Sequence, residues 1–94
     1  MSFVKTKLFN REIFMARIID GDKMNLIGEN VKKIRKRNGM SQQDLSAKLE
    51  LMGVYVCRGS ISRLEEQKRT VTDIELYAIS KALNVSCDDL VNEN

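Results

Sequence analysis

Residues 34–46, IRKRNGMSQQDLS, contain the end of one predicted helix and the start of the next. Gly39 follows apolar residues that recur at helical spacing, and glycine readily adopts the left-handed backbone conformation that ends a helix. Ser41 can then cap the following helix, and Asp44 can reach back toward it in a variant of the capping box. This stretch therefore predicts two helices joined by a tight turn.

The same apolar spacing and capping signals, followed outward, divide residues 26–94 into five predicted helices. The first three cover residues 27–38, 42–52 and 58–66. The fourth begins with a capping box at Thr72 and Glu75 and ends near Asn84, and a short fifth helix starts after Ser86. The chain has 94 residues, 43% of them apolar, with no proline and few glycines. These values predict one small all-α domain with a single core.

The charge distribution is uneven although the formal net charge is only +3. Residues 70–94 carry five acidic residues against Lys81 alone. The first helix, in contrast, sets five bases against Glu29: Lys32, Lys33, Arg35, Lys36 and Arg37. This basic segment is either a surface that faces phosphates or an ordinary solvated helix face.

Several function classes are excluded by what the sequence lacks. With no histidine, and with only Cys57 and Cys87 as thiols, the chain has neither the usual zinc ligands nor a disulfide framework. It contains no glycine-rich phosphate loop and no recognisable nucleophile with its base, so we predict no enzyme activity, no metal and no cofactor. No apolar run approaches the roughly 20 residues that span a bilayer. We therefore expect a reduced, cytoplasmic protein.

Residues 1–25 form an N-terminal extension of uncertain structure, ahead of the helical domain at residues 26–94. Apolar pairs recur there every five residues, which suits neither a helix nor a strand. Three interpretations stay open: an extension upstream of a true start at Met15 or Met24, a segment that binds a partner or a second copy, and a basic arm along DNA.

The domain resembles the Cro/C1-type helix-turn-helix domain of phage repressors and xenobiotic-response-element regulators. The resemblance covers residues 26–91 and rests on IRKRNGMSQQDLS at residues 34–46, ISRLE at 61–65 and ISKALNV at 79–85. It implies a compact, five-helix, lambda-repressor-like DNA-binding domain, in which the third helix enters the major groove.

The resemblance also implies which residues meet DNA. With Ile61 and Leu64 directed into the core, the third helix turns its other faces outward, where arginine can bond bidentately to guanine. The expected base-reading residues are Arg58, Gly59, Ser62 and Arg63. The expected phosphate-binding residues are Ser41, Gln42, Gln43, Ser60, Lys68 and Arg69. The simpler alternatives are that the Ser41-Gln42 pair only starts a helix and that the two arginines contact only phosphates or water.

Arg35 and Glu65 match a pair that forms a structural salt bridge in the family, so we expect Arg35 to brace the third helix without contacting DNA. This chain departs from the family pattern between Leu49 and Ile61, where the link is longer than usual. Cys57 also stands where a better helix cap such as serine is expected.

These expectations describe a sequence-specific regulator of transcription, a repressor that binds double-stranded DNA at a palindromic operator as a homodimer. The fifth helix and the N-terminal extension are the candidate dimer surfaces. The alternative is a protein-interaction module, such as an antitoxin or phage regulator, whose protein partner binds the N-terminal extension and for which DNA binding is secondary. Concentrated basic residues favour the regulator, since an interaction module does not need them.

Overall fold

The computed structural model describes residues 21–92, and five α-helices make up the regular structure of that range. They are α1 Gly28–Arg37, α2 Gln42–Leu51, α3 Arg58–Glu65, α4 Asp73–Leu83 and α5 Cys87–Val91. No strand occurs in the described range, which confirms the all-α class. Each helix lies within one residue of the predicted bounds. Residues 1–20, most of the predicted extension, lie outside the described residues.

Local capping signals start and stop these helices where the sequence predicts. Asn84 takes a left-handed conformation with φ 60° after α4, and Gly39 and Gly53 do so with φ 73° and 82° after α1 and α2. Gln67 adopts φ 62° after α3, a left-handed position that no glycine or asparagine marks. Capping boxes begin three helices, at Ser41 with Asp44, Thr72 with Glu75, and Ser86 with Asp89.

One apolar core joins all five helices. Leu45, Leu49 and Leu90 are fully buried in it, so α2 and α5 meet the same interior. Its buried members are Ile27, Val31, Ile34, Leu45, Leu49, Val56, Ile61, Leu64, Ala78, Ile79, Ala82, Leu83 and Leu90. Val56 belongs to the lengthened link, which therefore returns to the core just before α3. Burial of this kind is worth about 25 cal/mol per Å² of apolar surface.

Packing between α1 and α3 depends on Asn25 and Gly28. Asn25 is buried; its Nδ2 donates to the Leu64 carbonyl at 3.0 Å, and its Oδ1 accepts from the Gly28 amide at 2.8 Å. A β-carbon on Gly28 would lie 2.3 Å from the Leu64 carbonyl oxygen, so only glycine allows this approach. Met24 also donates its amide to the Gln67 carbonyl. Residues 24 and 25, which fall within the predicted extension, thus hydrogen-bond to the domain.

Candidate nucleic-acid interface

The outward face of α3 carries the residues expected to read bases. Arg58, Gly59 and Arg63 are exposed and Ser62 is half-buried, whereas Ile61 is only 1% exposed. At about 100° per residue, the four outward positions fall within an arc of roughly 140° on one side of the helix. The structure therefore brings two guanidinium groups, a hydroxyl and an open backbone position onto one surface.

The first turn of α3 has no side-chain oxygen cap. Cys57 is the N-cap residue, its side chain makes no capping hydrogen bond, and its Sγ lies 3.5 Å from Ser60 Oγ. Hydrogen bonds from the Ser60 side chain, then from the Ser60 backbone, lower the pKa of this exposed thiol. An uncapped helix start leaves amides that can bind water or a phosphate oxygen. Ser60, an expected phosphate contact, is half-buried and lies beside the thiol.

The start of α2 holds the expected phosphate contacts Ser41 and Gln43, both exposed. Ser41 Oγ accepts from the Asp44 amide at 3.0 Å, and Asp44 Oδ2 accepts from the Ser41 amide at 2.9 Å. The Ser41 backbone bond, followed by its side-chain bond, lowers the pKa of the Asp44 carboxyl. The capping box thus uses the Asp44 amide and leaves the Gln42 and Gln43 amides for an anion, although the Asp44 carboxylate keeps a negative charge close by.

A buried polar cluster connects α1, α2 and α3. Arg35 Nε and Nη2 donate to Glu65 Oε2 and Oε1 at 2.6 and 3.0 Å, and the side chains are 7% and 1% exposed. Arg35 Nη1 donates to the Met40 carbonyl at 2.7 Å, and Gln42 Nε2 donates to Glu65 Oε1 at 3.0 Å. The hydrogen bond to Glu65 is the main cause of the raised pKa of Arg35, followed by burial, which acts in the opposite direction.

This cluster changes the role expected of Gln42. The sequence predicts Gln42 as a phosphate contact, but in the structure its side chain bonds to Glu65 and is half-buried. A phosphate at the start of α2 would therefore meet the Gln42 backbone amide or its second side-chain hydrogen. Sequence spacing could not identify this bond, because Gln42 and Glu65 are 23 residues apart.

Lys68 and Arg69 follow α3 and face different surroundings. Lys68 is exposed, and its Nζ lies 3.7 Å from Glu66 Oε1 in a solvent-screened pair. Arg69 is half-buried, and its Nη2 bonds to Glu75 Oε2 at 3.0 Å. Burial by itself would raise the pKa of Glu75, but hydrogen bonds from Arg69 and the Thr72 backbone outweigh it and lower that pKa. Arg69 thus connects the segment that follows α3 to the start of α4, whereas Lys68 points to solvent.

The basic residues of α1 do not all face solvent. Arg35 is buried, whereas Lys32, Lys33, Lys36 and Arg37 are exposed. Lys33 and Arg37 border a shallow groove together with Asp89 of α5. Part of the positive charge on α1 therefore faces the acidic fifth helix, and the bases at its carboxyl end also suit the helix dipole.

Other kinds of site receive no support from residues 21–92. Within this range, no group of histidine, cysteine, aspartate and glutamate side chains could hold a metal ion. No helix in the same range has the length and apolar character needed to cross a membrane. Both cysteines of the described part are free thiols, with Cys57 exposed and Cys87 half-buried.

Comparison with known proteins was made for the whole chain. A helix-turn-helix family model matches residues 31–90, which include α2, α3 and the buried polar cluster. The chain is also 33% identical over 70 residues to an uncharacterized HTH-type transcriptional regulator, y4dJ, of Sinorhizobium fredii. That alignment covers 74% of this chain and 84% of the relative.

Proposed function

Because the chain belongs to the Cro/C1-type helix-turn-helix family of DNA-binding transcription regulators, we propose that it represses transcription by binding a palindromic operator as a homodimer. The observation that carries this proposal is the pair of exposed arginines on α3, a helix held in place by a buried polar cluster. A helix used for reading bases must be both accessible and rigidly oriented, and α3 meets both requirements. We assign the protein no catalytic role.

Base reading falls to Arg58 and Arg63 in this proposal. Each guanidinium can bond to guanine O6 and N7, a contact worth about 1–3 kcal/mol of discrimination against a wrong base. Gly59 lies between them, and a β-carbon added there would meet no other atom within 4 Å, so the backbone at this position can approach a base pair closely. Ser62 adds a hydroxyl on the same face.

Phosphate contacts would set the register of α3 without reading sequence. The start of α2 offers the exposed Ser41 and Gln43 and the amide of Gln42, and the first turn of α3 offers Ser60. Lys68 extends the positive surface beyond the end of α3. Arg69 contributes less, because its guanidinium is engaged with Glu75.

The cluster of Arg35, Glu65 and Gln42 has an orienting role in this proposal. Glu65 lies in the last turn of α3, and its carboxylate is held by α1 through Arg35 and by the first turn of α2 through Gln42. Three helices thus meet at one carboxylate, which fixes the orientation of α3 relative to α1 and α2. Repression follows from occupancy of the operator alone, since a bound protein blocks polymerase without any additional contact surface.

The experiment is a random-oligonucleotide binding selection at two salt concentrations. Wild type is compared with Arg58→Ala/Arg63→Ala and with Lys32→Ala/Lys36→Ala, a control that removes the same charge from exposed positions on α1. We expect wild type and the control to enrich one palindromic site and the α3 variant to lose it. The affinity for DNA should fall steeply as the salt concentration rises. In a plot of log affinity against log salt concentration, each phosphate contact should contribute a slope of about −0.9.

Failure of the proposal has a clear signature. If wild type enriches no site at either salt concentration, the chain does not read DNA sequence, and an interaction module such as an antitoxin becomes the better explanation. If it enriches a site that Arg58→Ala/Arg63→Ala also enriches equally, the reading surface lies elsewhere on the domain.

A further inference from the structure

One face of α4 is exposed although it carries large apolar side chains. Ile74 and Tyr77 are 67% and 60% exposed, and Lys81 Nζ lies 5.2 Å from the centre of the Tyr77 ring. Asp73 precedes them and is also exposed. At about 100° per residue, these four positions fall within an arc of roughly 100°. They define the α4 face: Asp73, Ile74, Tyr77 and Lys81.

An apolar groove of about 630 Å³ adjoins this face. Met52 and Val54 of the link after α2 line one side of it, and Ile74 and Tyr77 line the other. Met52 is itself 41% exposed. A ridge of two large side chains thus stands beside a groove that accepts side chains of the same kind, which is the shape required of a surface that binds its own copy.

The charges on the α4 face are self-complementary. Asp73 lies four residues before Tyr77 and Lys81 lies four residues after it. When two copies of α4 pack antiparallel with their Tyr77 residues side by side, Asp73 of each copy meets Lys81 of the other. A twofold axis produces this pairing twice, and parallel packing would place like charges opposite each other. By contrast, α5 exposes Asp88 and Asp89, which would repel in a symmetric contact.

We propose that α4 packs antiparallel against α4 of a second copy, around a twofold axis beside Tyr77. This inference rests on the homodimer proposed above and names its surface. Few side chains take part in this contact. A standard interface buries roughly 800 Å² per partner, and the α4 face is too small to supply that area. The dimer without DNA is therefore weak and dissociates reversibly. On DNA, binding of the two copies to adjacent half-sites adds to the energy of the contact and stabilises the dimer.

Cysteine cross-linking tests the geometry directly. In a Cys57→Ser/Cys87→Ser background, Tyr77→Cys alone should form a covalent dimer on mild oxidation, because disulfides join Cα atoms about 4.4–6.8 Å apart. Mixed Asp73→Cys and Lys81→Cys chains, one carrying a tag, should give the heterodimer. Asp73→Cys alone should not cross-link, since the two positions lie roughly 12 Å apart along the helix axes. Lys32→Cys, an exposed position on α1 outside the α4 face, is the matched control.

Charge exchange tests the pairing without cross-linking. Asp73→Lys should weaken dimerisation about tenfold in sedimentation equilibrium, because both symmetric pairs become repulsive, and Asp73→Lys/Lys81→Asp should recover it. Thermal unfolding of each variant shows whether the domain remains folded. Recovery by the double variant would support antiparallel pairing, and equal weakening by both variants would overturn it.

Cross-linking is run with and without DNA, so the two proposals can fail separately. Predicted cross-links without any enriched DNA site would keep this inference and reject the DNA-reading function. An enriched palindromic site together with no Tyr77→Cys cross-link would keep the function and reject this surface.

Discussion

Replacement of Arg35 by methionine removes the guanidinium that holds Glu65. The Glu65 side chain is 1% exposed and loses both charged hydrogen bonds, which leaves Gln42 Nε2 as its one partner among the described residues. The Met40 carbonyl loses its donor as well. Removing one partner of a buried ion pair costs about 3–5 kcal/mol, because the remaining charge is left without compensation. A natural domain has a total stability of about 5–15 kcal/mol.

We therefore expect Arg35→Met to lose about 3–5 kcal/mol of unfolding free energy in urea titrations followed by circular dichroism. The melting temperature should fall by more than about 10 °C, since 1 kcal/mol shifts it by about 4–8 °C in a domain of this size. Lys36→Met is the matched control, because it makes the same change at an exposed neighbour on α1. It should lie within about 0.5 kcal/mol of wild type.

A second substitution separates orientation from stability. Arg35→Met/Glu65→Met removes both charges, and we expect it to recover most of the lost stability because no buried charge remains. DNA affinity should stay low in this double variant, since α3 is no longer held through Glu65. An Arg35→Met variant as stable as Lys36→Met would refute the argument, and full DNA affinity in the double variant would refute the orienting role.

Three further predictions concern single positions. Gly28→Ala should be strongly destabilising in urea titrations, because its β-carbon would lie 2.3 Å from a backbone carbonyl oxygen of α3. Gly59→Ala has open space around the added β-carbon and should be neutral or stabilising by up to about 1 kcal/mol. Equal losses of stability in the two variants would contradict this contrast. Cys57 should react with iodoacetamide near neutral pH faster than half-buried Cys87, because its hydrogen bonds lower its pKa and it is exposed; mass spectrometry of the labelled thiols would show the reverse order if the reasoning is wrong. Glu75 has a folded-state pKa below its ordinary value of 4.5, so its contribution to stability is present above that pH and is lost as the pH falls through the folded pKa. The stability difference between wild type and Glu75→Gln should therefore shrink as the pH is lowered from 4.5 through the folded-state pKa, and a difference that stays constant with pH would argue against this ion pair.

Sequence predicted the helices well because their boundaries depend on neighbours along the chain. A capping box joins a residue to another three positions later, as at Thr72 and Glu75, and the structure has it there. Left-handed stops at Gly39 and Asn84 depend on the residue itself. Such signals are readable before any tertiary contact forms. Gln67 shows the limit, since no glycine or asparagine marks its left-handed backbone, and its hydrogen bonds with Met24 and Asn25 join residues more than 40 positions apart.

The candidate site could be predicted only in part. That Arg58 and Arg63 face outward follows from the apolar positions Ile61 and Leu64 on the same short helix, so the sequence was sufficient there. The pairing of Arg35 with Glu65 was implied by family resemblance and not by spacing. No sequence signal distinguished exposed Lys68 from its neighbour Arg69, which turns back to Glu75.

By itself, then, the sequence determined the five helices, their caps and the outward residues of α3, because each depends on interactions within about four positions along the chain. Tertiary structure alone decided which polar groups meet across long separations. Asn25 reaches Leu64, 39 residues away, and Gln42 reaches Glu65, 23 residues away. Periodicity fixes the direction of a side chain relative to its own helix, but its partner depends on how the helices pack, and that is settled by the shared core as a whole.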